Sequence, residues 1–186
     1  EAIAKVEARE SLEGVDLDGL DLKNVPLANT NLTGSDLSYT NLREADLVGA
    51  DLRKANLRNA NLTGASLRKA CLADANLENA DLQDADLTEA SLHQALLGMA
   101  SLSGANLTNT DLSETNLSQV YLDSASLDHP PVSRKHARMN RRENRYYIED
   151  LGSINGVKVN GANADGTEVK QGTVVRLGKV GLGVGS

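Results

Sequence analysis

The chain has 186 residues and carries 26 Asp plus Glu against 19 Lys plus Arg, a net charge of -7, yet it contains no Phe, no Trp and only four Tyr. That length fits one or two compact domains, but a core without aromatic bulk leaves Leu and Ala to do the filling and so points to an unusually regular interior. No apolar run approaches the roughly 18 residues needed to span a bilayer, and the single Cys71 excludes an internal disulfide framework and a thiolate zinc cluster. Membrane, metal and redox roles fall away, no cofactor is indicated, and a cytoplasmic location is expected. A first residue of Glu rather than Met is consistent with a processed or trimmed start.

Residues 1 to 10 are rich in helix formers and predict a short helix. From Leu12 to Leu127, Leu then occupies every fifth position without exception, 24 times in all. The position two before the Leu is nearly always small, and it reads Ala at every step from Ala45 to Ala105. Thr30, Ser35, Thr40, Thr110 and Thr115 extend that column, and Leu20 is its main departure. Asp, Asn or Ser recurs directly before the Leu, as in Ala50-Asp51-Leu52.

A period of five suits neither standard element. On an α-helix, successive Leu fall roughly 140° apart and smear over all sides. On a straight strand, an odd step sends alternate Leu to opposite faces. Only a path that bends at every repeat keeps all the Leu inside, with the small residue leaving room for the bulky one. A square coil of short extended sides and corners does this, and the helix over residues 1 to 10 then serves as a cap on its first coil.

These residues resemble the pentapeptide-repeat family, whose unit is written A-[DN]-L-x-x. The resemblance implies an all-β fold over residues 11 to 128: a right-handed quadrilateral β-helix, a solenoid with four repeats per coil and about six coils. At about 4.8 Å per strand spacing the tower stands roughly 29 Å tall. Some members of that family resemble an acidic DNA rod and bind type II topoisomerases, so a DNA topoisomerase is one partner the resemblance raises. Residues 10 to 128 do hold 19 acids against 7 bases. However, Arg43, Arg53, Arg58 and Arg68, with Lys54 and Lys69, fall on four different sides as a belt between two acidic bands. One band runs from Glu10 to Asp21, and the other comprises Asp74, Glu78, Asp81, Asp84, Asp86 and Glu89. A duplex mimic needs continuous negative stripes rather than bands.

After Leu127 the rhythm stops at Asp128-His129-Pro130-Pro131, and the composition turns to Arg, Tyr, Val and Gly, with 10 bases against 5 acids over 129 to 186. A strand is expected from His136 to Met139, a polar turn over Asn140 to Asn144, and further strands at Arg145 to Ile148, Val157 to Val159 and Thr173 to Leu177. Together they predict a small antiparallel structure. The C-terminal Gly181-Leu182-Gly183-Val184-Gly185-Ser186 lacks the following helix that a phosphate-binding loop requires.

Within this last third, Val132-Ser133-Arg134-Lys135-His136-Ala137, Asp150-Leu151-Gly152-Ser153-Ile154-Asn155-Gly156, Val159-Asn160-Gly161 and Val175-Arg176-Leu177-Gly178 resemble the forkhead-associated (FHA) domain. The resemblance implies a partial FHA-like β-sandwich over residues 129 to 186 whose ligand is a phosphothreonine peptide. By position, Ser133 and Arg134 would contact the phosphate, and Asn155 would hold the peptide backbone. His136 would brace its own loop, and Gly156 would support the site. A hydroxyl and a guanidinium suit a dianion, and a side-chain amide can pair both donors and acceptors of an extended peptide. The family's opening strands and Gly-Arg loop have no counterpart, and Ile154 and Val157 stand where it usually has Thr. A sandwich without its first strands leaves an open edge, as does the last tower coil, so the two are expected to cover each other with Val120, Tyr121 and Leu127 at the seam.

No cluster of titratable groups supplies a nucleophile with its base, and His93, His129 and His136 are scattered without metal-ligand spacing. The expected role is therefore non-enzymatic: a scaffold whose FHA-like module binds a phosphothreonine-containing partner protein in signalling, without direct nucleic-acid or membrane contact. The alternatives are topoisomerase binding by the tower surface and a structural spacer carrying an FHA remnant.

Overall fold

A computed structural model describes residues 2–8, 10–112, 115, 120–121, 125–127, 137–142, 145–150, 157–159, 162–163, 166–169, 174–177 and 180–183. The chain opens with helix α1 (Ala2–Ala8), whose Val6 packs against the hydrophobic core. Beyond it, parallel bridges join residues 20 apart, from Asp16↔Asp36 to Ser101↔Tyr121. Four pentapeptides therefore complete one coil, the quadrilateral arrangement that the pentapeptide-repeat resemblance implied. Every Leu of the repeat from Leu12 to Leu112 is buried, as is the Ala column from Ala45 to Ala105.

The corners explain why five residues suffice. The Val15 N–H donates to the Leu12 carbonyl at 3.1 Å, and the same four-residue turn recurs at Ala60 and Leu57 at 3.0 Å. Two residues after each Leu, from Gly14 to Asn109, φ lies between +55° and +72°. That sign at the third position defines a type II turn. Fourteen of these corner residues are not glycine, so something must hold L-residues in a region they avoid. A bond to the next coil supplies the restraint: the corner N–H donates onward, as from Lys54 to the Ala73 carbonyl at 3.0 Å and from Asp84 to that of Ser103 at 2.9 Å.

The polar residue before each Leu has a defined job. Its Oδ1 accepts the backbone N–H two residues on, as Asp16 does from Asp18 at 3.1 Å and Asn61 from Thr63 at 3.0 Å. This Asx turn bridges the Leu and fixes the entry to the corner. Stacked members also bond between coils, Asn41 Nδ2 to Asp21 at 2.8 Å and Asn56 Nδ2 to Asp36 at 3.0 Å.

The small-residue columns change at their ends. Val15, Leu20 and Val25 are partly buried and pack on the core beside Val6 of the helix. No coil lies beneath them, so the size limit that selects Ala higher up is lifted, and bulk there closes the open end. Pro26 carries no N–H, which removes one free donor from that first-coil edge. At the far end Val120 and Ala125 are fully buried. Between coils, the Thr40 hydroxyl donates to the Leu17 carbonyl at 2.9 Å, and those of Thr110 and Thr115 donate to Leu87 and Leu92 at 2.8 and 2.7 Å.

The described residues from Ser126 onward form two four-stranded antiparallel sheets. One has the order β1-β2-β3-β6, built from β1 (Ser126–Leu127), β2 (Ala137–Arg142), β3 (Arg145–Asp150) and β6 (Thr167–Val169). The other has the order β5-β4-β7-β8, from β4 (Val157–Val159), β5 (Ala162–Asn163), β7 (Val174–Leu177) and β8 (Val180–Gly183). The polar turn expected over Asn140 to Asn144 is shorter than that. Asn140, Arg141 and Arg142 belong to β2 and pair with Tyr147, Tyr146 and Arg145. Polar side chains do not end a strand whose backbone groups find partners, and β2 lies between β1 and β3. Gly181 and Gly183 pair with Arg176 and Val174 in β8, a strand rather than a phosphate loop.

Candidate functional site

Ser133, Arg134, His136, Asn155 and Gly156 lie outside the described residues, but the strands that receive their segments are described. The chain enters β2 at Ala137, directly after His136, and leaves β3 at Asp150, five residues before Asn155. Ala137 and Asp150 are register partners. The strand after Gly156 begins at Val157, which pairs with Leu177, whose other partner is Val180 at the start of β8. Entry to β2 and exit from β3 are thus at one end of their hairpin, opposite the end where Arg142 faces Arg145. At that far end the Arg145 Nε lies 3.8 Å from the Glu168 Oε1.

On the tower, the 20-residue register confirms that Arg43, Arg53, Arg58 and Arg68 fall on four sides. Half of the belt, Arg53, Arg68 and Lys69, is paired with acidic neighbours. Arg53 forms bonds of 2.5 to 3.1 Å with both carboxylate oxygens of Asp51. This guanidinium, foremost, holds the Asp51 carboxyl below the ordinary carboxylate range, and the Arg53 guanidinium is raised in turn. Lys69 reaches Glu89 at 3.6 Å and Arg68 reaches Asp86 at 3.9 Å, each in the coil above. Arg43, Lys54 and Arg58 have no ion pair among the described residues. Lower down, Asp36 accepts the Ser38 hydroxyl at 2.6 Å and its N–H at 3.0 Å, with Asn56 adding a third bond, and its carboxyl is lowered mainly by the Ser38 hydroxyl.

Sequence reasoning passed over one surface feature. Tyr39, Leu96 and Met99 are 66%, 50% and 53% exposed, and the register puts all three on one face of the four. Leu96 takes a position normally polar, and Met99 stands in the corner column of Tyr39. Between them, the missing side chain of Gly98 leaves space that the Glu78 carboxylate approaches, 3.8 Å from where a Cβ would lie. The signal was available, since Leu96 breaks the Asp/Asn/Ser column. Cys71 sits half-buried on a side, bridging Asp51 and Ser91. A shallow cavity of about 460 Å³ at the first coil is lined by Glu10, Pro26, Asn29, Asn31 and Asp46 among others. Among the described residues, no group of His, Cys, Asp or Glu could hold a metal ion, and no helix is long and apolar enough to cross a membrane.

Comparison with known proteins matches both halves. A family model described as pentapeptide repeats matches residues 11–47, 45–84, 60–98 and 100–129, and one described as the FHA domain matches residues 118–178. The chain is similar to the crystal structure of the pentapeptide repeat protein Rfr23 from the cyanobacterium Cyanothece 51142. That likeness has 30% identity over 68% of this chain and 97% of that one, with a TM-score of 0.62. HetL, a pentapeptide repeat protein involved in heterocyst differentiation regulation in Nostoc sp. strain PCC 7120, is 31% identical over 67% of this chain and 64% of its own, with a TM-score of 0.38. QnrB1, a plasmid-mediated fluoroquinolone resistance protein, is 18% identical over 63% and 79%, with a TM-score of 0.26. No curated protein matches the chain.

Proposed function

The chain belongs to the pentapeptide-repeat family, and we propose that it is a non-catalytic docking scaffold whose tower carries an FHA-type module for a phosphothreonine-containing partner. The observation that carries this reading is the FHA match over residues 118–178, which encloses Ser133, Arg134, His136, Asn155 and Gly156 in order. The Ala137↔Asp150 register supports it, because both motif segments then adjoin one end of the β2–β3 hairpin. In this reading Ser133 and Arg134 donate to the phosphate, Asn155 holds the peptide backbone, and His136 and Gly156 shape the two loops. Charge-assisted donors to a phosphate are worth about 1.5 to 3 kcal/mol each. Loss of both Ser133 and Arg134 therefore removes binding by about two orders of magnitude or more.

The experiment is a titration of the full chain with a phosphothreonine peptide library and its unphosphorylated twin, in wild type and in Ser133→Ala/Arg134→Ala. Binding that needs the phosphate and disappears in the double variant is the expected result. Equal retention of phosphorylated and unphosphorylated peptides would sink the proposal. A parallel topoisomerase inhibition assay addresses the tower-surface alternative, whose signal would survive the double variant.

A further inference from the structure

The junction between tower and sheets is where two independent observations meet. Ser126 and Leu127 occupy the pre-Leu and Leu positions of the last repeat, 20 residues above Asn106 and Leu107. The same two residues form β1, pairing Ser126↔Arg138 and Leu127↔Ala137 with β2. Directly before them, Ala125 is fully buried in the tower's core cluster. The two family models overlap at this point as well, since residues 118–129 satisfy both. The tower ladder meanwhile runs up to Tyr121, whose N–H donates to Ala100 at 2.9 Å and whose carbonyl accepts from Leu102 at 2.7 Å.

We infer that the last repeat is a splice shared by both units, so that opening of the tower's top coil and opening of the β1–β2–β3 sheet are one coupled event. Ala125 is held in the tower core and the very next residue, Ser126, is held in the sheet, so no linker lies between the two units to absorb a displacement of one relative to the other. Coils of a solenoid contact only their neighbours, so a disturbance at the top reaches the sheet while an equal disturbance at the bottom dies out along the tower. Coupling of this kind is reciprocal. Whatever holds the sheet closed also holds the top coil closed.

Leu107 and Leu27 give a matched pair for the test. Both are 2% exposed and share one Leu column, four coils and about 19 Å apart at the usual strand spacing. Amide hydrogen exchange on the full chain, read residue by residue, should show that Leu107→Ala speeds exchange in β2 and β3 by about tenfold or more. Leu27→Ala should leave those strands within about twofold of wild type. In the reverse direction, Arg138→Pro breaks β2 from inside the sheet and should speed exchange at Leu102 and Tyr121 while sparing Leu17 and Leu22. If Leu107→Ala fails to fold, the Leu107→Val and Leu27→Val pair makes the same comparison. The inference is overturned if β2 and β3 keep wild-type exchange while the top coil opens, or if Tyr121 keeps its protection after Arg138→Pro has opened the sheet.

Discussion

Replacing Ala60 with Val tests how the interior is dimensioned. Ala60 is buried between Thr40 below and Ala80 above, the three stacked at the coil repeat of about 4.8 Å. Carbon atoms pack best at roughly 3.5 to 4.0 Å, so a column of Cβ atoms at the coil spacing has little room for two more methyl groups. The column cannot dilate, because the Asn61 N–H binds the Thr40 carbonyl at 3.0 Å and the Asp81 N–H binds the Ala60 carbonyl at 2.9 Å. Overpacking a rigid core costs about 1 to 3 kcal/mol, and the gain in β-propensity from Val offsets at most about 1 kcal/mol of it. A net loss of about 1 to 2 kcal/mol is expected. The control is Leu20→Val at the foot of the same column, where the chain already accepts bulk, and its cost should be about 1 kcal/mol or less. Urea unfolding of the full chain, followed by far-UV circular dichroism, measures both. Ala60→Val unfolding at the wild-type midpoint would show that spacing does not select alanine.

Acid unfolding reports on Asp36, whose carboxyl is depressed by the Ser38 hydroxyl and N–H. A depressed carboxyl contributes stability above its unfolded value of about 3.9, and that stability is lost as pH falls through the folded value. Ser38→Ala should therefore move the acid midpoint upward, with the difference from wild type vanishing once Asp36 is protonated in both states; an unmoved midpoint refutes this. Corner glycines separate backbone strain from contact. At Gly19 a Cβ meets nothing within 4 Å, whereas at Gly104 it collides with the Asp84 carboxylate. Both have positive φ, so Gly104→Ala should melt below Gly19→Ala, and equal melting temperatures would mean the Asp84 side chain moves aside freely. Arg53→Gln removes an exposed pair with Asp51 and should leave the urea midpoint close to that of wild type, because solvent screens such pairs.

The five-residue Leu period disclosed the tower because it is incompatible with both a helix and a straight strand, leaving a coil that turns at each repeat. The 20-residue coil came from resemblance, and only with it do the column ends make sense. Val15, Leu20 and Val25 look like lapses in a small-residue rule until the register shows that no coil lies below them. The Asp, Asn or Ser before each Leu was visible as a recurrence, but its Asx role rests on geometry two residues away. Ser126 and Leu127 were hidden for a different reason: they obey the tower's rule perfectly, and nothing local marks them as β1. For the candidate site, the motifs gave residue identities, while the register of β2 with β3 added which ends of the strands adjoin.

Charge bears directly on the choice between the two binding surfaces. Duplex DNA presents one negative charge per roughly 1.7 Å of axis, so a face five coils tall, about 24 Å at the usual spacing, would need about 14 of them to match. The face bearing Asp16, Asp18 and Asp36 adds only Glu78 among its described residues, and Arg58 stands between. Elsewhere the belt ties itself to the upper acids through Arg68 with Asp86 and Lys69 with Glu89, spending negative charge on holding coils together. The tower's acidity is thus dispersed and partly neutralised. Residues 129 to 186 instead concentrate 10 bases against 5 acids, a balance that favours an anionic ligand on the module over a cationic one on the tower.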